Sequence, residues 1–119
     1  MTPFQYGIQF LIERNHLDLS LADSMITYKR DYWDQHNLDS LTTPYNIVMF
    51  DAYVHHLPPV VKKFADSAKG NWKTFNDARR LFYLRQIEKN PTMNKHKRGW
   101  LSQINDLNKY CTIIEQEHS

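Results

Sequence analysis

Asp51 is the acid best placed to do chemistry in this chain. It stands between Phe50 and Ala52 in an otherwise apolar run, Ile47 to Val54. A carboxylate there can serve acid–base work or hold a buried network, and if buried it must find a hydrogen-bonding partner. Glu13 is the only glutamate before Glu88, and with Arg14 beside it, it reads as a solvated charge on a helix face. His55 and His56 are adjacent, so a helix turns them roughly a quarter turn or more apart and they lack the i,i+4 spacing of a two-histidine metal site. Arg30-Asp31 with His36 fits a loose Arg-x(4–6)-His pattern similar to that of HEPN-type ribonucleases, which carry it in a late helix rather than an early one. Cys111, the only cysteine, excludes an internal disulfide and sits at helical spacing between Leu107 and Ile114, as a small core residue does. No Gly-rich phosphate loop, Cys/His cluster or serine-triad signature is present, and neither a metal nor a cofactor is expected.

Helices must position these residues. Ser20 followed by Asp23 offers an N-cap, and Leu21, Met25, Tyr28 and Tyr32 recur at helical spacing, which predicts a helix from about Ser20 to Trp33. Thr43-Pro44 reads as a cap followed by proline at the first helical position, opening a helix to about His56 that buries Ile47, Val48, Phe50 and Val54. Pro58-Pro59 ends it. A short helix then runs from Pro59 to Lys69 and stops at Gly70, a left-handed cap. Ala78, Leu81, Phe82 and Arg85 share a face of a helix from about Phe75 to Lys89, which Asn90-Pro91 breaks. In the last helix Trp100, Ile104, Leu107, Cys111 and Ile114 make one apolar stripe, too short to argue for a coiled coil. No strand-like alternation or internal repeat is visible. The fold class is therefore all-α, with about five helices in a single domain over residues 1–119.

Composition sets the outer bounds. A chain of 119 residues with 41% apolar and 24% charged side chains, 3 Gly and 5 Pro is an ordinary globular domain with a core of its own. No run approaches a membrane span and the N-terminus lacks a signal-peptide pattern, so the chain is expected to be cytoplasmic as synthesised. The formal charge of +2 is too small to choose a partner. Lys95-His96-Lys97-Arg98 with Trp100, together with Arg79, Arg80 and Arg85, could form a nucleic-acid patch, but the balance favours a solvated helix start and face.

One resemblance organises the rest. Arg30-Asp31-Tyr32-Trp33-Asp34, then Leu38-Asp39-Ser40-Leu41, then Val48 to His55 with Phe50-Asp51 at its centre, resemble in order the central signature of the phage and bacterial N-acetylmuramidases of glycoside hydrolase family 108. Tyr6-Gly7-Ile8 upstream, and Arg80 to Tyr83 with Gly99-Trp100-Leu101 downstream, are similar to further motifs of that family, so the likeness runs from about Tyr6 to Tyr110. The departures are His55 where asparagine is usual, Leu57 for a glycine, Gln103 for an arginine, and a segment shortened to Ala68-Lys69-Gly70-Asn71.

The resemblance implies a small lysozyme-like helical domain directed at peptidoglycan. It also implies a catalytic glutamate in a Glu-Gly-Gly motif upstream of Tyr6-Gly7-Ile8, which would fall before Met1. A glycosidase needs an acid at the leaving oxygen, in a fixed relation to a second carboxylate or water, and Glu13 lies on the wrong side of the landmark. The expectation is a degenerate, non-catalytic muramidase-like domain, with Tyr32, Trp33, Asp51 and His55 as candidate ligand-binding residues. Its partner is then peptidoglycan, at the wall or on a virion. The alternative is a scaffold redeployed as a protein-binding module, such as a phage structural component or an inhibitor of a host system.

Overall fold

The computed structural model describes residues 2–15 and 22–117. Among the described residues there are six α-helices: α1 Pro3–Asn15, α2 Ala22–Tyr28, α3 Tyr45–His55, α4 Pro58–Ala68, α5 Trp72–Lys89 and α6 Lys97–Glu117. A π-helical turn, Lys29–Asp34, extends α2, and 3₁₀ turns cover Leu38–Ser40 and Pro91–His96. No strand occurs among the described residues, so the domain is all-α. The cap expected at Ser20 and the apolar position at Leu21 lie outside the described residues.

Helix α3 is the centre. Eight of its residues, Tyr45 to Ala52, are buried, because α1, α4, α5 and the turns after α2 all pack around it. It begins one residue later than expected. The Thr43–Pro44 bond is cis, and Pro44 stands before the first turn without a side-chain cap. Thr43 instead accepts a hydrogen bond at Oγ1 from Asn46 Nδ2, 3.2 Å away, while the same amide reaches the Leu41 carbonyl. Val54, expected in the core, is half-buried near the C-terminal end.

Helix α1 was given no boundaries by its residue pattern, and its role is to lie across α3. A Cβ added at Gly7 would meet Phe50 Cδ2 at 2.6 Å, so the glycine is what lets the two helices approach. Phe50 is itself fully buried, packed edge-on against Phe4 and Trp33. Gly7→Ala should therefore destabilise: forcing a methyl into a filled core costs about 1–3 kcal/mol, against roughly 1 kcal/mol regained from helix propensity. Combining it with Phe50→Leu should cost less than the sum of the two single changes, as read from thermal unfolding.

Helix α4 starts on Pro58 and Pro59, where the missing donors cost nothing, and ends through two left-handed residues, Lys69 (φ 50°) and Gly70 (φ 84°). Helix α5 starts three residues before the expected Phe75, because Asn71 Oδ1 caps it by accepting from the backbone N–H groups of Lys73 and Thr74. Leu81 and Arg85 are exposed, while Trp72, Phe75, Asn76, Arg79 and Tyr83 turn inward. The stripe of α6 behaves as its spacing predicts, with Ile104, Leu107, Cys111 and Ile114 buried and Trp100 at its partly open end. Burial pushes the Cys111 thiol up, out of the range of a nucleophile at neutral pH.

Candidate functional site

Arg79 is the largest charged side chain in the core, with no exposed surface. Its Nη1 donates to Asp51 Oδ2 at 2.5 Å, joining α5 to α3. Its Nε donates to His56 Nε2 at 3.1 Å and its Nη2 to Tyr83 Oη at 3.3 Å. Gln103 from α6 closes the set, its Nε2 lying 3.4 Å from Asp51 Oδ2 and 3.3 Å from His55 Nε2. Three helices thus converge on one carboxylate. Asp51 is 2% exposed, so the ion pair is a buried one that the surrounding donors must sustain.

The two histidines behave differently. His55 bends back along its own helix, with Nδ1 2.8 Å from the Asp51 carbonyl oxygen, and presents Nε2 outward. His56 is enclosed by Phe64, Phe82 and Tyr83. Burial, and then the Arg79 guanidinium, hold its imidazole well below the usual range, at about 3 against 6.5. An acceptor role for Nε2 toward Arg79 fits this: a proton there would face a cation. The sign follows directly. The unfolded chain binds the His56 proton below about pH 6.5 and the folded chain does not until about pH 3, so this histidine removes stability as pH falls through that window. His56→Gln should flatten the loss between pH 7 and pH 4, measured as the denaturation midpoint at each pH.

Above this network lies a cleft of about 410 Å³ lined by His55, His56, Phe82, Tyr83, Gln86, Met93, Trp100 and Gln103. The Trp100 ring stacks on Tyr83 (centroids 4.8 Å apart, planes at 18°) and under His96 (5.3 Å, 28°). Both faces of the indole are therefore covered, and a ligand would meet its edge together with the polar tips of His55, Gln86 and Gln103.

The candidate residues do not share one surface. Asp51 and His55 meet in the network, and of the two only His55 lines the cleft. Trp33 is sealed in the core, edge-on to Phe4 and Phe50, with its Nε1 donating to Asp39 at 2.8 Å. Tyr32, on the same π-helical turn, packs on Tyr28 with centroids 5.3 Å apart. Tyr32 and Trp33 line no part of the cleft. Glu13 accepts from Gln9 and lines a separate groove with Arg14, Asp106 and Tyr110. Arg30 is exposed and paired with Asp31, while His36 lies flat on Tyr53 at 3.6 Å, so the two do not form a common site. The residues that the sequence underplayed are Arg79 and Tyr83. Their signal was their register, four apart and in phase with Trp72 and Phe75. Among the described residues no three His, Cys, Asp or Glu side chains gather as metal ligands, and no helix is long and apolar enough to cross a membrane.

A buried carboxylate–guanidinium pair thus lies beneath a cleft lined by both polar and aromatic side chains. Residues 6–56 match the family model described as Glycosyl hydrolase 108. The matched segment runs from α1 to His56, at the rim of the cleft; α4 to α6, with the Arg80–Tyr83 and Gly99–Leu101 motifs, lie outside it. Neither the curated proteins nor the solved structures contain a match to the chain.

Proposed function

We propose that this domain holds a peptidoglycan glycan strand in the cleft between α3, α5 and α6 and does not itself cleave it. The observation that carries the reading is the placement of His55 and His56: they end the matched segment and form the wall of a mixed polar and aromatic cleft completed by Gln86, Trp100 and Gln103. Imidazole and amide groups beside ring edges suit the hydroxyl and acetamido groups of a sugar.

The carboxylates support the non-catalytic half of the reading. Asp51 is buried and committed to Arg79, out of contact with any leaving oxygen. Glu13 shares no lining residue with the cleft. The test uses purified protein on insoluble peptidoglycan and on permeabilised cells. Retention on the wall without loss of turbidity is expected, with retention reduced about tenfold or more by Gln103→Ala with His55→Ala, the loss of roughly 1.4 kcal/mol or more that a few missing hydrogen bonds to a ligand represent. Lysis by the unaltered protein would overturn the non-catalytic half. Absence of retention would overturn the glycan reading and shift the case to a protein-binding scaffold.

A further inference from the structure

Charge is segregated in this molecule far more than its net value of +2 suggests. Residues 57–103 carry 11 lysines and arginines against 3 acids, whereas the rest of the chain carries 4 against 10. Within the basic segment, only Arg79 is ion-paired among the described residues; the other cations have no carboxylate partner. Part of this uncompensated charge lines a groove. Between α4 and α5, Lys63, Arg85 and Lys89 border a floor that includes Phe64, Ala78 and Leu81, and no acid lines it. Phe82 and Gln86 belong to this groove and also to the cleft below Trp100, so the two are continuous across one turn of α5.

We infer that this groove takes the carboxylate-bearing peptide stems of the glycan strand held in the cleft, an inference that rests on the glycan reading above. Three features of the groove point to that ligand. It adjoins the cleft, so its occupant belongs to the same molecule. Its three cations complement free carboxylates, and cations lining a concave surface focus that attraction. Its apolar floor fits short aliphatic side chains, which a bare phosphate or sugar chain does not offer. A single-stranded nucleic acid fits less well, because base binding needs an open aromatic face and Trp100 is covered on both sides.

The experiment compares retention of the full chain, unaltered and as the triple variant Lys63→Gln, Arg85→Gln, Lys89→Gln, on three materials: intact peptidoglycan, the same glycan stripped of its stems by an amidase, and a single-stranded oligonucleotide resin. All three sites are exposed, so the variant should fold, and its helical circular dichroism is checked first; single Arg85→Gln serves if it does not. The expected result is that the unaltered chain binds intact wall about tenfold better than stripped glycan, that added salt erases this advantage, and that the variant binds both materials as the unaltered chain binds stripped glycan. Equal binding of the unaltered chain to intact and stripped wall overturns the inference and leaves the glycan reading standing. Retention on the oligonucleotide alone overturns both in favour of a nucleic-acid surface, and retention on none of the three overturns both outright.

Discussion

Replacing Arg79 by alanine is expected to remove about 3–5 kcal/mol of folding free energy, the usual cost of leaving one member of a buried ion pair without the other. Asp51 would remain almost fully buried, having lost its strongest partner, and His56 and Tyr83 would each lose one hydrogen bond while keeping the one between them. Against a total stability of about 5–15 kcal/mol for an ordinary domain, that is a large share. The loss should appear as a lower urea midpoint with an unchanged slope. The double change Asp51→Leu with Arg79→Met should recover much of it, since two apolar side chains of similar size remove the need for the pair. A loss below about 1 kcal/mol for Arg79→Ala, the range of exposed pairs, would mean that water reaches the carboxylate and that the cleft extends deeper than His56.

The second large effect concerns Trp33. As a fully buried indole between Phe4 and Phe50, it should cost about 3–5 kcal/mol when cut to alanine. Trp33→Phe should cost less, losing the bond to Asp39 and part of the packing. Neither change touches the cleft, so Trp33→Phe assayed well below its melting temperature should be retained on peptidoglycan as strongly as the unaltered chain. A folded Trp33→Phe protein with lost retention would return Trp33 to the ligand site.

These two residues also show how far the sequence could be read. The α6 stripe was legible because Ile104, Leu107, Cys111 and Ile114 are all apolar, and period alone then places the core. In α5 the inward register contains Asn76 and Arg79. Two polar residues on the buried face erase the pattern, so period alone does not place the core there. Asp51 carried the complementary clue: a carboxylate in a buried helix requires a partner, and the helix that supplies it must bring a cation inside. Sequence spacing gives no distance between residues 28 positions apart, so the pair became visible only in the fold. Tyr32 and Trp33 were grouped with Asp51 and His55 by a shared motif order. Packing separates them, since neighbouring residues on a helix point about 100° apart and only one of the pair reaches the core.

The wide turn at Lys29–Asp34 has a consequence for the length of the chain. A turn closed by i→i+5 bonds accommodates one more residue than an α-helical turn does, which amounts to an inserted position that the helix has absorbed without breaking. The segments on its two sides therefore keep the relative phase they would have without that residue, rather than being offset by about 100°. Removing one residue between 29 and 32 and restoring ordinary pitch should therefore leave the Trp33 indole between Phe4 and Phe50. The spacing between Tyr28 and Trp33 can thus shorten by one residue without moving either neighbour's packing, and a single-residue deletion in this part of the chain should be tolerated within the turn rather than beyond its ends.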